Sequence, residues 1–315
     1  MFGLKFGHAK IFIMNKKKKF IFVFLAVILV LLVVGVVIYV TIGEKNDGGF
    51  TDVDVQEKGV WWWSVEGDED AYLDFASQNG ITEIYYANSG FDESVNAFIE
   101  KANGLNIDVY YLCGEWQWID DFSAFEQVLS NYQTYQATFE HKFSGVHLDV
   151  EPHQHDDWSE FDEAGNSEIL LRYLHFVDNV TSNEAYSEIM FDFDIPFWLD
   201  NYTVEFNGER KEVFKFVMDL ADRTFVMSYR DQARLICSVA ENELEYAKMQ
   251  NKFLFLCVET SEQSPETVSF FEEGKAVMCQ ELKTLQGLVA ENMGEDFKNH
   301  GISIHHMESW IALKN

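Results

Sequence analysis

The sequence predicts a (β/α)8 barrel, a closed ring of eight parallel strands in which each strand is followed by a helix. Eight apolar runs of strand length occur after residue 59, and helical patterns lie between them. Together they occupy about 255 residues, the usual size of such a barrel. An open, doubly wound sheet is the competing arrangement, but no run is followed by a Gly-rich phosphate loop.

Strand and helix candidates alternate along this part of the chain. The strand runs are GVWWWS (59–64), ITEIYYAN (81–88), IDVYYLCG (107–114), FSGVHLDVE (143–151), IMFDFDIP (189–196), RTFVMSYR (223–230), KFLFLCVET (252–260) and GISIHHMESW (301–310). Helices with apolar residues three to four apart are predicted at 70–78 and 94–102, with Gly80 and Gly104 as stop signals. Later helices are expected at 122–139, 168–183, 212–221, 232–248 and 278–297.

The N-terminal segment differs from the rest of the chain. Residues 20–42 form an unbroken apolar run, and about 20 such residues span a bilayer. Six lysines precede the run, which favours a cytoplasmic N-terminus. We therefore expect a basic cytoplasmic segment at 1–19, a single transmembrane anchor at 20–42, a linker at 43–58 and an extracytoplasmic barrel domain at 59–315. A cleaved signal peptide is the alternative, but its apolar region usually has about 7–15 residues.

Charge and cysteine spacing exclude several classes of partner. Residues 1–45 hold seven lysines and one glutamate, which leaves 16 basic and 52 acidic residues in 46–315. An acidic domain of this kind repels nucleic acid and anionic membrane surfaces. The four cysteines are widely spaced and form no CxxC pair, so we expect buried thiols rather than a zinc site or a disulfide scaffold. We predict no cofactor.

The run FSGVHLDVEP (143–152) carries the most chemical information. Side chains alternate across a strand, so His147, Asp149 and Glu151 point to the same side. Burying carboxylates is costly unless they are paired or used. The spacing therefore predicts Glu151 as a general acid with Asp149 as its helper.

Other acids and aromatic residues also cluster where strands end, and that end carries the active site in barrels of this kind. Aromatic rings stack on the C–H faces of sugars, while carboxyl groups bind hydroxyls and move protons. We therefore predict a site for a polysaccharide or oligosaccharide. Its substrate-binding candidates from the strand ends are Trp62, Trp63, Asn88, Glu115, Trp116, His147, Asp192, Asp194, Arg230, Glu308 and Trp310.

Two of these runs resemble motifs of family 18 glycoside hydrolases, the chitinases and their relatives. SGVHLDVE (144–151) is similar to the strand-four signature D-G-x-D-x-D-x-E of that family, and Gly145, Asp149 and Glu151 match it. The resemblance implies that Glu151 protonates the leaving oxygen. It also implies that Asp149 orients the substrate's own acetamido group, which acts as the nucleophile.

The second motif lies at the end of the sixth strand. VMSYR (226–230) resembles the family's M-x-Y-D, with matches at Met227 and Tyr229. The resemblance implies that Tyr229 contacts the acetamido oxygen, that Met227 lies in the substrate site, and that Trp310 lies under the sugar.

The chain also departs from the family pattern. Ser144 and His147 replace the first two aspartates of the strand-four signature, and Arg230 replaces the aspartate after the tyrosine. His147 can still hydrogen-bond Asp149, so the relay is altered rather than lost. Arg230 is expected either in an ion pair or as a ligand for an acidic sugar or phosphate group. The departures leave the N-acetyl substrate open and allow an inactive relative.

A second mechanism uses Glu259, which ends the seventh strand run. Many other barrel glycosidases place an acid/base and a nucleophile on the fourth and seventh strands. Retaining enzymes hold the two carboxyl groups about 5–5.5 Å apart. If Glu259 faces Glu151, a covalent intermediate replaces substrate assistance.

A metal site is the least favoured arrangement. His147, Asp149, Glu151, His153 and His155 are ligand-type residues, but the first three crowd one strand and the others follow Pro152 into a loop. Of the pair His305 and His306, at most one can face the site. We predict no metal.

The sequence thus favours a membrane-anchored, outward-facing glycoside hydrolase-like barrel that acts on cell-envelope or extracellular polysaccharide. A non-catalytic glycan-binding barrel is the alternative, and a metal-dependent hydrolase is third. The fold by itself does not decide among them.

Overall fold

A computed structural model of the chain describes residues 49–64, 68–88 and 90–315. Its strands are β1 (Glu57–Trp62), β2 (Glu83–Ala87), β3 (Asp108–Cys113), β4 (Gly145–Leu148), β5 (Phe191–Pro196), β6 (Thr203–Phe206), β7 (Glu209–Glu212), β8 (Arg223–Met227), β9 (Phe253–Glu259) and β10 (His300–His305). Eight of them close a parallel barrel in the order β1-β10-β9-β8-β5-β4-β3-β2, and β6 pairs with β7 in a separate hairpin. The predicted (β/α)8 barrel is confirmed.

Each barrel strand is followed by one or two helices. They are α1 (Glu69–Gln78), α2 (Glu93–Gly104), α3 (Phe122–Thr138), α4 (Glu163–Thr181), α5 (Val213–Leu220), α6 (Ala233–Val239), α7 (Glu241–Gln250), α8 (Lys275–Met293) and α9 (Met307–Ala312). The first four begin after an aspartate, and each of these side chains accepts a backbone N–H in the first turn: Asp68, Asp92, Asp121 and Asp162. Such caps satisfy N–H groups that have no partner within the helix.

Three elements differ from the sequence-based prediction. Residues 203–212 form the β6–β7 hairpin, whose turn residues Asn207 and Gly208 both have positive φ, and this Asn-Gly pair is the signal that predicts it. The helix expected at 232–248 is two helices that meet at Ala240. The last strand ends at His305, because Ser309 Oγ accepts the His306 N–H and caps helix α9.

The segment before β1 belongs to the fold. Phe50 and Val53, which the sequence placed in the linker, are buried, and Lys58 Nζ donates to the Phe50 carbonyl at 2.9 Å. In the described part of the chain, no helix is both long and apolar enough to cross a bilayer. The predicted anchor at 20–42 lies outside the described residues, as do 1–19 and 43–48.

The barrel interior is packed with rings. The Phe225 and Phe255 rings stack with centroids 4.0 Å apart, and the Tyr85 ring stacks on His147 at 4.1 Å. A Cβ at Gly59 would lie 2.2 Å from the Tyr85 hydroxyl, so only glycine fits beside that ring. The interior is therefore a filled core, and a ligand can reach only its ends. All four cysteines are free thiols, as expected.

Candidate active site

The carboxyl ends of β3 and β4 meet tightly, and this fixes the first acid of the site. The Asp149 N–H donates to the Cys113 carbonyl at 3.0 Å. A Cβ at Gly114 would lie 1.9 Å from the Asp149 carbonyl oxygen, so glycine is required at that position. The backbone of Asp149 is thus held against the neighbouring strand, at the end of the barrel where the predicted site lies.

A buried histidine–aspartate pair lies directly below this rim. His147 Nε2 is 2.8 Å from Asp194 Oδ2, and both side chains are almost fully buried. Burial alone would lower the pKa of His147, but the charges and hydrogen bonds of Asp194 and Asp192 outweigh it and raise the pKa to about 9. His147 is therefore a cation at neutral pH. It occupies a position where the family signature has an aspartate.

The floor of the barrel holds a second set of charges. The Arg223 guanidinium binds both oxygens of Asp192, at 2.9 and 2.6 Å, and its third nitrogen lies 2.6 Å from Glu83 Oε1. Asp192 is fully buried there, so its predicted contact with substrate is wrong. Arg223 and Glu83 were missed by the sequence analysis, although a charged residue inside an apolar strand run is the signal for such a network.

Glu151 is an acid that solvent can reach. Its side chain is 19 % exposed and lies near His153, with 3.6 Å between Glu151 Oε1 and His153 Nε2, while Gln154 donates to Oε2. Burial raises the pKa of Glu151, and the Asp194 carboxylate raises it further, although the Gln154 hydrogen bond opposes both. This acid is therefore set to keep its proton at higher pH than a free glutamate.

Asp149 is partly exposed and lies near these two carboxylates. Burial raises its pKa well above the usual value, and the charges of Asp194 and Glu151 add to the effect. Its Oδ1 atom is buried and has no hydrogen-bond partner among the described residues. Asp149 thus offers a protonatable group without a protein partner for one of its oxygens.

Glu259 is committed to internal contacts. Its Oε1 accepts the N–H groups of Thr260 and Ser261, both at 2.7 Å, and the Ser261 hydroxyl at 2.8 Å. Its Oε2 lies 2.8 Å from Nδ1 of His305, whose Nε2 lies 2.9 Å from the Trp63 indole nitrogen. The pKa of Glu259 is lowered, because these hydrogen bonds and His305 outweigh burial. The carboxylate orients His305 and Trp63, and it is not free to attack a sugar.

Tyr229 completes the inner wall of the site. Its ring lies 6.0 Å from His305, and burial raises its pKa well above the usual value, so the hydroxyl stays protonated and can donate. Met227 ends β8 and is partly buried. Arg230 donates to the Tyr229 carbonyl at 2.7 Å, and its guanidinium lies 4.8 Å from the Phe197 ring centroid. It makes no ion pair with any residue of the described ranges, so a structural ion pair is not its role there.

Two of the predicted tryptophans do not face the site. The Trp62 ring is fully buried between barrel and helices, 5.3 Å from Phe98, because successive side chains of β1 alternate and Trp61 points inward. Trp310 lies on helix α9 rather than on a strand, and its ring packs on Phe75 at 4.8 Å. Neither ring presents a face to a sugar, which corrects both predictions.

The remaining candidates lie around the rim. Asn88 Oδ1 accepts the Gly90 N–H, and Glu115 is exposed. The Trp116 ring lies 4.7 Å from that of His155. Glu308 is on α9, and its Oε2 lies 2.8 Å from His306 Nδ1, so its carboxyl group contacts the segment before that helix. Among residues 49–64, 68–88 and 90–315, no group of three or more His, Cys, Asp or Glu side chains is arranged to hold a metal ion.

Comparison with known proteins finds similarity only among solved structures. No protein-family model matches the chain, and no curated protein matches it. Among solved structures, the Bacillus megaterium spore cortex-lytic enzyme SleL is 10 % identical with a TM-score of 0.48, and the match covers 81 % of this chain and 72 % of that one. The Rhizomucor miehei beta-1,3-glucanosyltransferase is 9 % identical with a TM-score of 0.43, over 79 % and 86 %.

A third match is the Group II chitinase catalytic domain 2 of Ostrinia furnacalis. It is 12 % identical with a TM-score of 0.39, and the match covers 78 % of this chain and 63 % of that domain. The structural neighbours are thus glycoside hydrolases and related enzymes with a barrel fold. Their identities and TM-scores are low, so the function has to be argued from the side chains of this chain.

Proposed function

We propose that the protein is a glycoside hydrolase that cleaves a cell-envelope or extracellular polysaccharide with Glu151 as general acid. One observation carries the proposal: Glu151 lies just after the end of β4 with a partly exposed side chain, and its pKa is raised by burial and by the charge of Asp194, while Asp149 lies two residues before it with one carboxyl oxygen buried. A protonated carboxyl group at the edge of a barrel core is what a glycosidic oxygen needs as a proton donor.

The other side chains have supporting roles in this mechanism. Glu151 gives its proton to the leaving oxygen, while Asp149 beside it orients the substrate's acetamido group, whose oxygen attacks the anomeric carbon as the glycosidic bond breaks. Water, which gives a proton back to Glu151, then opens the cyclic intermediate. The Tyr229 hydroxyl donates to the acetamido group. Trp63, held by His305, presents its ring to the sugar face. Because both oxygens of Glu259 are occupied, the arrangement favours substrate assistance over a nucleophilic Glu259.

Replacement of the acid tests the proposal. The full-length wild type and Glu151→Gln are assayed for release of reducing ends from chitin oligosaccharides, β-1,3-glucan and peptidoglycan. We expect Glu151→Gln to lose about 10²–10⁴-fold in turnover. The matched control is Glu100→Gln, at an exposed position of α2. A Glu151→Gln variant as active as the wild type would refute the acid role.

The glycan-binding alternative has one observation in its favour. Gln154 donates a hydrogen bond to Glu151, and this bond favours the ionised rather than the protonated carboxyl group. A wild type that binds a glycan from the same panel but cleaves none of them would select the alternative.

We also propose that residues 20–42 anchor the protein in the membrane, with 1–19 in the cytoplasm and the barrel outside. The unbroken apolar run and the preceding lysines support this topology. The full chain should remain in the membrane pellet after alkaline carbonate extraction, and protease added outside intact cells should digest the barrel domain. Release into the carbonate supernatant would contradict the anchor.

A further inference from the structure

A cavity of about 460 Å³ is lined by residues that none of the roles above uses. It is lined by Glu160, Glu163, Asn166, Trp198, Asn201 and Tyr202. Its walls come from the segments after β4 and β5, which are neighbouring strands of the barrel. Ligand sites in proteins commonly have volumes of about 300–1,000 Å³.

The rings of Trp198 and Tyr202 line this cavity, and they form a compact group with the neighbouring ring of Trp158. The Trp198 centroid lies 5.6 Å from that of Trp158 and 6.1 Å from that of Tyr202, and Trp158 and Tyr202 are 5.7 Å apart. All three side chains are partly exposed. Phe161, in the same loop, is 95 % exposed. Exposed rings beside carboxylate and amide groups suit a ligand with both apolar C–H faces and hydroxyls.

A buried amide holds the cavity wall in place. Asn166 is buried, its Oδ1 accepts the Ser159 N–H at 3.0 Å, and its Nδ2 donates to the Ser159 carbonyl at 2.7 Å. The same Nδ2 lies 3.4 Å from the Tyr202 hydroxyl. The loop that carries Trp158 and Phe161 is thereby fixed to helix α4. The wall is pre-formed, so binding does not have to order it.

His153 joins this cavity to the acid. Its Nε2 lies 3.6 Å from Glu151 Oε1, and its ring centroid lies 5.2 Å from that of Trp198. Its Nδ1 is buried and has no hydrogen-bond partner among the described residues. A chain bound at Glu151 can therefore continue across His153 onto the Trp198 ring.

We infer that the cavity lined by Trp198 and Tyr202 is a second sugar subsite, which binds a neutral oligosaccharide chain that extends from Glu151. The inference rests on the proposed function, and it defines the substrate as a chain of several sugars rather than a disaccharide. Glu160 and Glu163 accept hydroxyls at this subsite. Together with the acidic surface of the domain, they repel uronic acid and sulfated chains.

The test measures binding separately from turnover, in the full-length protein. Two variants, Glu151→Gln and Glu151→Gln/Trp198→Ala, are titrated with three pentasaccharides and the matching disaccharides. The pentasaccharides are cellopentaose, laminaripentaose and N-acetylchitopentaose. We expect Trp198→Ala to weaken binding of the recognised pentasaccharide at least about fivefold, and to leave the disaccharide unaffected. Trp198→Phe, which keeps a ring, should retain most of the affinity and guards against misfolding. Met249→Ala, at an exposed position on α7, is the control.

Each outcome decides between the two proposals. The subsite is overturned if Trp198→Ala weakens binding of the pentasaccharide and the disaccharide equally, or weakens neither. It is also overturned if no pentasaccharide binds. Binding of an oligogalacturonate pentamer as tight as that of the neutral chain overturns its neutral character. If the wild type cleaves no glycan but binds one through Trp198, the subsite stands and the acid role of Glu151 is rejected. If it cleaves with unchanged chain-length preference in Trp198→Ala, only the subsite is rejected.

Discussion

Glu259 Oε2 lies 2.8 Å from His305 Nδ1, and this contact sets which nitrogen of the imidazole carries the proton. With the proton on Nδ1, Nε2 is free to accept the Trp63 indole N–H at 2.9 Å. A buried carboxylate therefore orients an aromatic ring at the mouth of the barrel through an intervening histidine. Because Glu259 has this positioning role, the contact favours the substrate-assisted mechanism over the one in which Glu259 is the nucleophile.

Glu259→Gln tests this relationship. In this variant the amide oxygen keeps the backbone hydrogen bonds of Oε1, so the NH₂ group faces His305. His305 Nδ1 then has to accept a hydrogen bond, and the proton of the ring has to lie on Nε2. The Trp63 N–H then loses its acceptor. We expect KM to rise by about three- to tenfold with kcat little changed, which corresponds to roughly 0.7–1.4 kcal/mol. A loss of kcat as large as that of Glu151→Gln, together with a covalent glycosyl-enzyme on Glu259 detected in the wild type, would instead make Glu259 the nucleophile.

Asp194→Asn should shift the pH dependence of activity. Burial and then the Asp194 charge raise the pKa of Glu151, which donates its proton only below that pKa. Removing the charge lowers the pKa, so the alkaline limb of the profile of kcat/KM should move to lower pH. Asp156→Asn, in the exposed loop after Glu151, is the control and should leave the limb unmoved. If the alkaline limb of Asp194→Asn stays at the wild-type pH, Asp194 does not raise the pKa of Glu151.

His147 should make the barrel less stable at alkaline pH. Its pKa is raised to about 9, and a histidine with a raised pKa in the folded state stabilises the fold fully below its unfolded value, near 6.5. That stabilisation is lost as pH rises through about 9. We expect the free energy of unfolding to fall by on the order of 3 kcal/mol between pH 6.5 and 9.5, measured by denaturant titration. A pH dependence equally steep in His147→Gln would assign the effect to other groups.

Arg223→Met should destabilise the barrel strongly. The substitution leaves Asp192 and Glu83 buried without their cation, and breaking a buried pair from one side costs about 3–5 kcal/mol. Thermal unfolding should show a correspondingly lower midpoint. Lys101→Met removes the exposed ion pair with Asp70 and should leave the midpoint nearly unchanged. If Arg223→Met unfolds at the same midpoint as the wild type, the ion pairs of Arg223 with Asp192 and Glu83 add no stability.

The barrel could be predicted because its signals are local. Each strand is an apolar run bounded by polar residues, and the periodicity of the first two helices is visible within about a dozen residues. The Asn207-Gly208 hairpin is equally local, and it was missed because a segment of charged residues does not resemble a strand. The position of Glu151 and Asp149 after β4 follows from the end of one apolar run.

The sequence by itself determined the eight-stranded barrel, the acids after β4 and the apolar run before the domain, because these depend on periodicity and composition. Only the tertiary structure decided which tryptophan of β1 faces inward, since alternation defines two faces but does not say which face is the interior. It also decided the pairing of Arg223 with Glu83, 140 positions away, and of Glu259 with His305. Contacts of this kind form when distant strands close the ring, and no local pattern encodes which partners will meet.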